Sequence, residues 1–180
     1  MPSDLLFAAA PGFDQPLAVL KHCHDRIRKQ LATLQKLPEH LQKHGADEQA
    51  QTAAQGILRY FIQAAPLHHE DEEHDLLPSL QASVSESERA QFELHLSKIL
   101  EQHQRMAGLW EQLKQVLICI SEAQTCIIDP GLINAFTNLY ADHMAIEENH
   151  IAPLAAKSLS AEQFAIMGQH MQERRGIQAA

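Results

Sequence analysis

The sequence predicts an all-α fold: an antiparallel up-down four-helix bundle with a short fifth helix at its C-terminal end. Three observations carry this. Apolar residues recur in alternating steps of three and four, the spacing of one helix face, over several long stretches. The connections between those stretches are short and hold helix-capping residues. Only seven glycines occur in 180 residues, too few for a turn-rich β fold.

The first helix is expected to begin near Asp14, with Pro16 in its first turn, where a missing N–H costs nothing. Its apolar positions are Leu17, Leu20, Ile27, Leu31 and Leu34; the alternation asks for one more core residue at position 24, and that residue is His24. The helix fades between Pro38 and Gly45. The second runs from near Asp47 to about Pro78. It carries two neighbouring stripes, Ile57–Phe61–Ala64–His68–Glu72–Leu76 and Leu58–Ile62–Ala65–His69–Glu73–Leu77, between which periodicity does not choose. Pro66 is expected to kink or restart it. The third follows a serine-rich turn, with Ser85 and Glu88 spaced as a capping box. Its seam is Phe92, Leu96, Ile99, His103, Met106, Trp110, Leu113, Leu117 and Ile120, with His103 the one polar member. The fourth has Asp129 as N-cap and Pro130 at its first position, and its stripe includes Phe136, Leu139, Tyr140, His143, Glu147, Ile151 and Leu154. Ser160 and Gln163 form a second capping box that opens the fifth helix, about 160–175. The whole, 1–180, reads as one domain with its bundle core at about 14–156.

Composition narrows the function classes. Apolar residues at 45% and charged residues at 21% are ordinary for a soluble protein. A formal net charge of −9 and no basic patch argue against nucleic-acid binding. Three cysteines, Cys23, Cys119 and Cys126, form no CxxC pair, and the simplest expectation is a reduced, cytoplasmic chain. The opening MPSDLLFAAAPGF has neither the basic start nor the apolar length of a signal peptide, and no apolar run is long enough to span a membrane. Twelve histidines are a surplus, and histidine is the commonest metal ligand.

Position gives that surplus meaning. HHEDEEHDLLP at 68–78 and HMAIEENHIAP at 143–153 share the pattern HxxxEExx[LI]xP. The alignment selects His68 and Glu72 over His69 and Glu73, because they match His143 and Glu147. His24 precedes the first motif and His103 the second, so each half is a helix with one core histidine followed by a helix with a core HxxxE. His24 lies ten residues after Asp14 and His68 ten before Pro78, so in an antiparallel pair they are level. His143 likewise lies ten before Pro153 and His103 about a turn off that level, so six residues, His24, His68, Glu72, His103, His143 and Glu147, are expected to converge near one height of an apolar core. His and Glu at i and i+4 share a helix face and can hold one ion or two adjacent ions. Two glutamates from opposite helices can bridge two cations, and mixed imidazole and carboxylate ligation suits iron, with manganese or zinc possible. Oxo or hydroxo bridges and a small exogenous molecule fill the remaining positions. The alternative, that these are packed core residues, requires two unpaired buried glutamates, which is costly. His22, His40, His44, His95 and His170 fall off the seams and are expected to be solvated, and His74 and Asp75 to sit at an exposed helix end. Glu70, Glu73 and Glu148 are either surface groups or outer partners of the ligands, and His150, three after Glu147, is either a surface group or an extra or outer ligand.

The residues HCHDRI, HHEDEEHDLLP, EQHQRM and HMAIEENHIAP resemble the hemerythrin-like, or HHE cation-binding, family over roughly 14–156. The resemblance implies a four-helix bundle around a non-haem di-iron centre that binds or senses O2 or NO, or handles iron. A di-iron enzyme reducing peroxide or nitric oxide is the alternative. Oxygen-carrying hemerythrins place two histidines one turn apart on the third helix; here the positions flanking His103 by four are Ile99 and Ala107. One ligand of that set is therefore missing, which leaves one metal more open or completed by another side chain. A cysteine-bearing N-terminal domain, as in the iron–sulfur repair relatives, is also absent from the sequence.

Overall fold

The computed structural model describes residues 10–177. The N-terminal stretch read for a signal peptide lies, through residue 9, outside the described residues, as do positions 178–180. The helices are α1 (Pro16–His44), α2 (Glu48–Asp71), α3 (Leu77–Ser83), α4 (Glu86–Ser121), α5 (Pro130–Ile146), α6 (Ala152–Ser158) and α7 (Ala161–Arg174). α1 packs on α2 and α5, and α4 on α2 and α5, which closes a four-helix ring; short connections make sequential members antiparallel.

Local chemistry explains the boundaries. α1 stops at Gly45, whose φ of +68° is the left-handed conformation glycine adopts freely, and whose N–H reaches the Leu41 carbonyl at 2.9 Å. Asp47 caps α2 through the Ala50 amide, and Asp129 caps α5 through the Gly131 amide. The Ser160–Gln163 capping box forms as expected. The Ser85–Glu88 box does not: Ser85 Oγ donates to the Glu88 carboxylate at 2.6 Å instead of accepting from the backbone.

The expected break at Pro66 is also displaced. α2 runs through Pro66 to Asp71, and the departure from α geometry comes one turn later. Residues Glu72–Leu76 form a π turn, in which Leu77 N–H bonds the Glu72 carbonyl five residues back. Glu147–Ile151 form a second, with Ala152 N–H bonding the Glu147 carbonyl. The two π turns occupy the same place in the two repeats, and each begins at the motif's first glutamate.

The core has two apolar halves. One gathers Ile27, Ile57, Phe61, Met106, Leu113 and Phe136; the other Leu20, Leu80, Phe92, Ile99, Ile151 and Met171. In every long helix the predicted polar seam residue lies between them: His24 between Leu20 and Ile27, His103 between Ile99 and Met106. α7 covers the second half, packing on α1, α2 and the first π turn. Gly168 makes that contact possible, since a Cβ there would lie 2.0 Å from the Phe13 carbonyl oxygen. No helix among the described residues is long and apolar enough to cross a membrane.

Cys119 and Cys126 correct one expectation. They are joined as a disulfide across the α4–α5 corner, with their Cα atoms 6.4 Å apart, and Cys23 alone is free. Seven residues and a helix end bring the two together, a proximity that spacing without CxxC did not suggest.

Candidate metal centre

The structure brings all six sequence-selected side chains into the polar layer between the two apolar halves. His24, His68, Glu72, His103, His143 and Glu147 are each at most 6% exposed. α1 supplies His24 and α4 His103; α2 and α5 supply His68 and His143 from their last turns, and the π turns supply both glutamates.

Each carboxylate spans two groups of imidazoles. Glu72 Oε1 lies 3.1 Å from His68 Nε2, and its Oε2 3.4 Å from His103 Nε2. Glu147 Oε2 lies 2.9 Å from His24 Nε2, and its Oε1 3.3 Å from His143 Nε2. His103 Nε2 and His143 Nε2 face each other at 3.3 Å. One group of donor atoms is therefore His24, His68, Glu72 and Glu147, and the other Glu72, His103, His143 and Glu147, with both glutamates common.

A seventh side chain joins the second group. His69 clusters with His103 and His143, its ring stacked on His103 at a centroid distance of 4.1 Å. His68 and His69 had competed for one place; both occupy the layer. Consecutive helix residues point about 100° apart. α2 lies between α1 and α4, so His68 meets His24 at 5.0 Å between ring centroids while His69 meets His103. The doublet HH, absent from the second motif, was the sequence signal for it. It also supplies a fifth imidazole where the third helix lacks its second histidine.

The far side of three rings is held by side chains outside this set. His24 Nδ1 pairs with Glu148 Oε1 at 3.0 Å, His103 Nδ1 with Glu73 Oε1 at 2.5 Å, and His143 Nδ1 with Gln102 Oε1 at 3.3 Å. These bonds fix ring orientation and leave Nε2 turned inward. The second glutamate of each HxxxEE thus crosses to the histidine of the other half: Glu73 serves His103 and Glu148 serves His24. Glu148 also accepts from Arg28 at 2.9 Å.

The donors match a cation better than they match each other. Among the described residues, seven of the eight buried side-chain nitrogens and oxygens with no hydrogen-bond partner belong to this layer: His24 Nε2, His68 Nδ1 and Nε2, His69 Nε2, Glu72 Oε2 and both Glu147 oxygens. Five of them, His24 Nε2, His68 Nε2, Glu72 Oε2 and both Glu147 oxygens, approach a neighbour closely without aligning as hydrogen bonds, and each such buried group costs about 1–3 kcal/mol. Burial, then the neighbouring rings, push His68 and His69 well below the ordinary histidine range, and burial lowers His143 to about 4. These imidazoles are neutral at pH 7, the form that binds metal. Burial and the adjacent Glu147 charge hold Glu72 well above the usual carboxylate range. Burial raises Glu147 too, but His143 and His24 outweigh it and leave it low. A bound cation would relieve the repulsion that separates the two carboxylates.

Other candidates fall elsewhere. His150 is exposed and stacks on His95 at 4.5 Å, away from the layer. Tyr140 is buried among Phe61, Phe136 and His69, a core position bordering the centre. His40 pairs with Asp47 at 2.8 Å. Asp75 is not at an exposed end: it is 7% exposed and bonded to His170 at 2.6 Å and to Arg174. Asp71, wholly buried beside it, bonds Arg174 at 2.7 Å and Arg175 at 2.6 Å. Acid residues in a charged stretch look solvated from sequence, and only the docking of α7 supplies their partners.

The Hemerythrin HHE cation binding domain profile matches residues 15–155. An uncharacterized protein of Haemophilus influenzae is 32% identical over 165 residues, covering 92% of each chain. Profile, bundle and paired HxxxE layer agree: this chain belongs to the hemerythrin HHE cation-binding family.

Proposed function

We propose that the protein is a non-haem di-iron protein that binds or senses a small ligand such as O2 or NO. The observation that carries this is the pair of carboxylates, each reaching from one imidazole group to the other. In this reading His24 and His68 would hold one ion and His69, His103 and His143 the other, with Glu72 and Glu147 available to both. Manganese or zinc would satisfy the same donors, but mixed nitrogen and oxygen ligation with an exchangeable position favours iron. When bound, the metal pair would supply an electron-rich site for a small ligand; the chain orients three rings through Glu73, Gln102 and Glu148 and keeps His68, His69 and His143 unprotonated.

An enzyme acting on peroxide or nitric oxide is the second reading, favoured by a solvent-side cavity that ends on His24, Glu72 and Glu147. Metal analysis of the purified protein tests both. Close to two irons per chain are expected, falling below half an iron in a Glu72→Ala, Glu147→Ala double variant of unchanged helicity. Iron-free wild-type protein that takes up none on anaerobic reconstitution would overturn the di-iron reading. Spectra of the reduced protein on adding O2 or NO then separate a stable adduct from turnover.

A further inference from the structure

The two halves of the layer face different cavities. One of about 500 Å³ opens between α1 and the second π turn and ends on His24, Glu72 and Glu147; it touches none of His69, His103 and His143. Another, of about 400 Å³, lies against His69 and His103 on the α2–α4 face. On the di-iron reading, which this inference rests on, the ligand count is uneven: two imidazoles on the His24 side, three on the other, with both carboxylates shared. The ion with fewer imidazoles would keep the exchangeable position, and it would sit beside the cavity of about 500 Å³.

That cavity exceeds what a diatomic molecule needs. Its volume lies within the roughly 300–1,000 Å³ typical of sites for organic ligands. Its walls are aliphatic, with Leu17 and Leu20 from α1, Leu76 from the first π turn and Ile151 from the second. Polar groups are confined to its two ends. At the inner end stand His24, Glu72 and Glu147, which carry unpartnered buried atoms. Around the outside are Lys21, Glu148 and Asn149; the Lys21 ammonium is exposed and only 3.8 Å from Glu148, a loose pairing. An apolar passage ending at a cation recognises a molecule with an oxygen-donor head and an aliphatic body.

We propose that this cavity binds a small aliphatic molecule with an oxygen-donor head group, head toward His24 and Glu147 and chain against Leu17, Leu20, Leu76 and Ile151. Alkyl carboxylates and alkyl hydroperoxides share that chemistry.

The test uses iron-loaded full-length protein whose metal content and azide complex have first been verified; failure at that stage overturns the di-iron reading, not the cavity assignment. Acetate, butyrate, hexanoate and octanoate are then titrated against the iron charge-transfer bands. Affinity should rise by about fourfold for each buried methylene until the cavity is filled. Leu17→Trp and Ala152→Trp, on separate walls, should each abolish the gain from acetate to hexanoate, while Ala107→Trp in the other cavity leaves it intact. Equal affinity for acetate and octanoate, or a chain-length gain that survives both tryptophans, overturns the proposal. Butyl hydroperoxide distinguishes the two sources: reversible competition with hexanoate marks a carboxylate site, and stoichiometric oxidation of the reduced iron blocked by hexanoate marks a hydroperoxide site.

Discussion

His69 shows how one position changes a site. The repeat made His68 legible, because HMAIEENHIAP has a histidine at the matching place and none beside it. The same comparison made His69 look redundant, since sequence does not say that α2 has histidine-bearing neighbours on both sides. Its role predicts unequal losses. His69→Ala should lower iron toward one per chain and spare the His24 side, whereas Glu72→Ala, removing a shared ligand, should lose both ions; metal analysis and Mössbauer spectra check this. The six residues chosen from sequence were readable because burying a glutamate in an apolar seam is expensive and the chain does it twice. The acceptors Glu73 and Glu148 were only half readable: their motif places them next to the ligands, but each crosses to the other repeat for its histidine. Glu148→Gln and Glu73→Gln should each weaken metal binding by about 10–100-fold, measured by chelator competition.

Helices were the most legible level, since caps and periodicity are local. The π turns were not. A 3–4 alternation assumes a constant pitch, so the stripes could end on Leu76 or Leu77 but not both; the wider turn buries both. α7 was foreseen as a helix but not as a clasp. Its arginines, Arg174 together with the adjoining Arg175, neutralise Asp71, which directly precedes the first π turn. Removing one partner of a buried ion pair leaves an uncompensated charge. Arg174→Ala combined with Arg175→Ala, which strips Asp71 of both partners, should therefore cost about 3–5 kcal/mol in urea unfolding. Asp71→Asn in the same chain should recover a substantial part, and an unchanged midpoint in the double variant would contradict the clasp.

For the molecule as a whole, the polar layer interrupts what would otherwise be one continuous core, so folding carries a cost that a bound cation would offset. The metal-free protein should be acid-sensitive. The folded state holds His68, His69 and His143 neutral, while the unfolded chain protonates them near pH 6.5. The unfolded state then binds more protons, so stability falls as pH drops below 6.5, until His143 titrates at about 4 in the folded state. Glu72 acts in the opposite sense, keeping a proton that the unfolded chain releases above its ordinary value, which flattens the slope without reversing that of three histidines. Melting temperatures of metal-free protein between pH 7 and 4 should fall steadily, and iron should raise them most at the neutral end.

The bonds from Asp71 to Arg174 and Arg175 span 103 and 104 positions, and this gives biosynthesis a fixed order. Every side chain of the polar layer has been added once Glu147 is made, yet neither of Asp71's arginine partners exists until the ribosome reaches Arg174. At about 5–20 residues per second the interval lasts on the order of seconds. In that interval every donor of the layer has been made and the clasp has not, so the groups that would hold a cation are specified before the group that locks them.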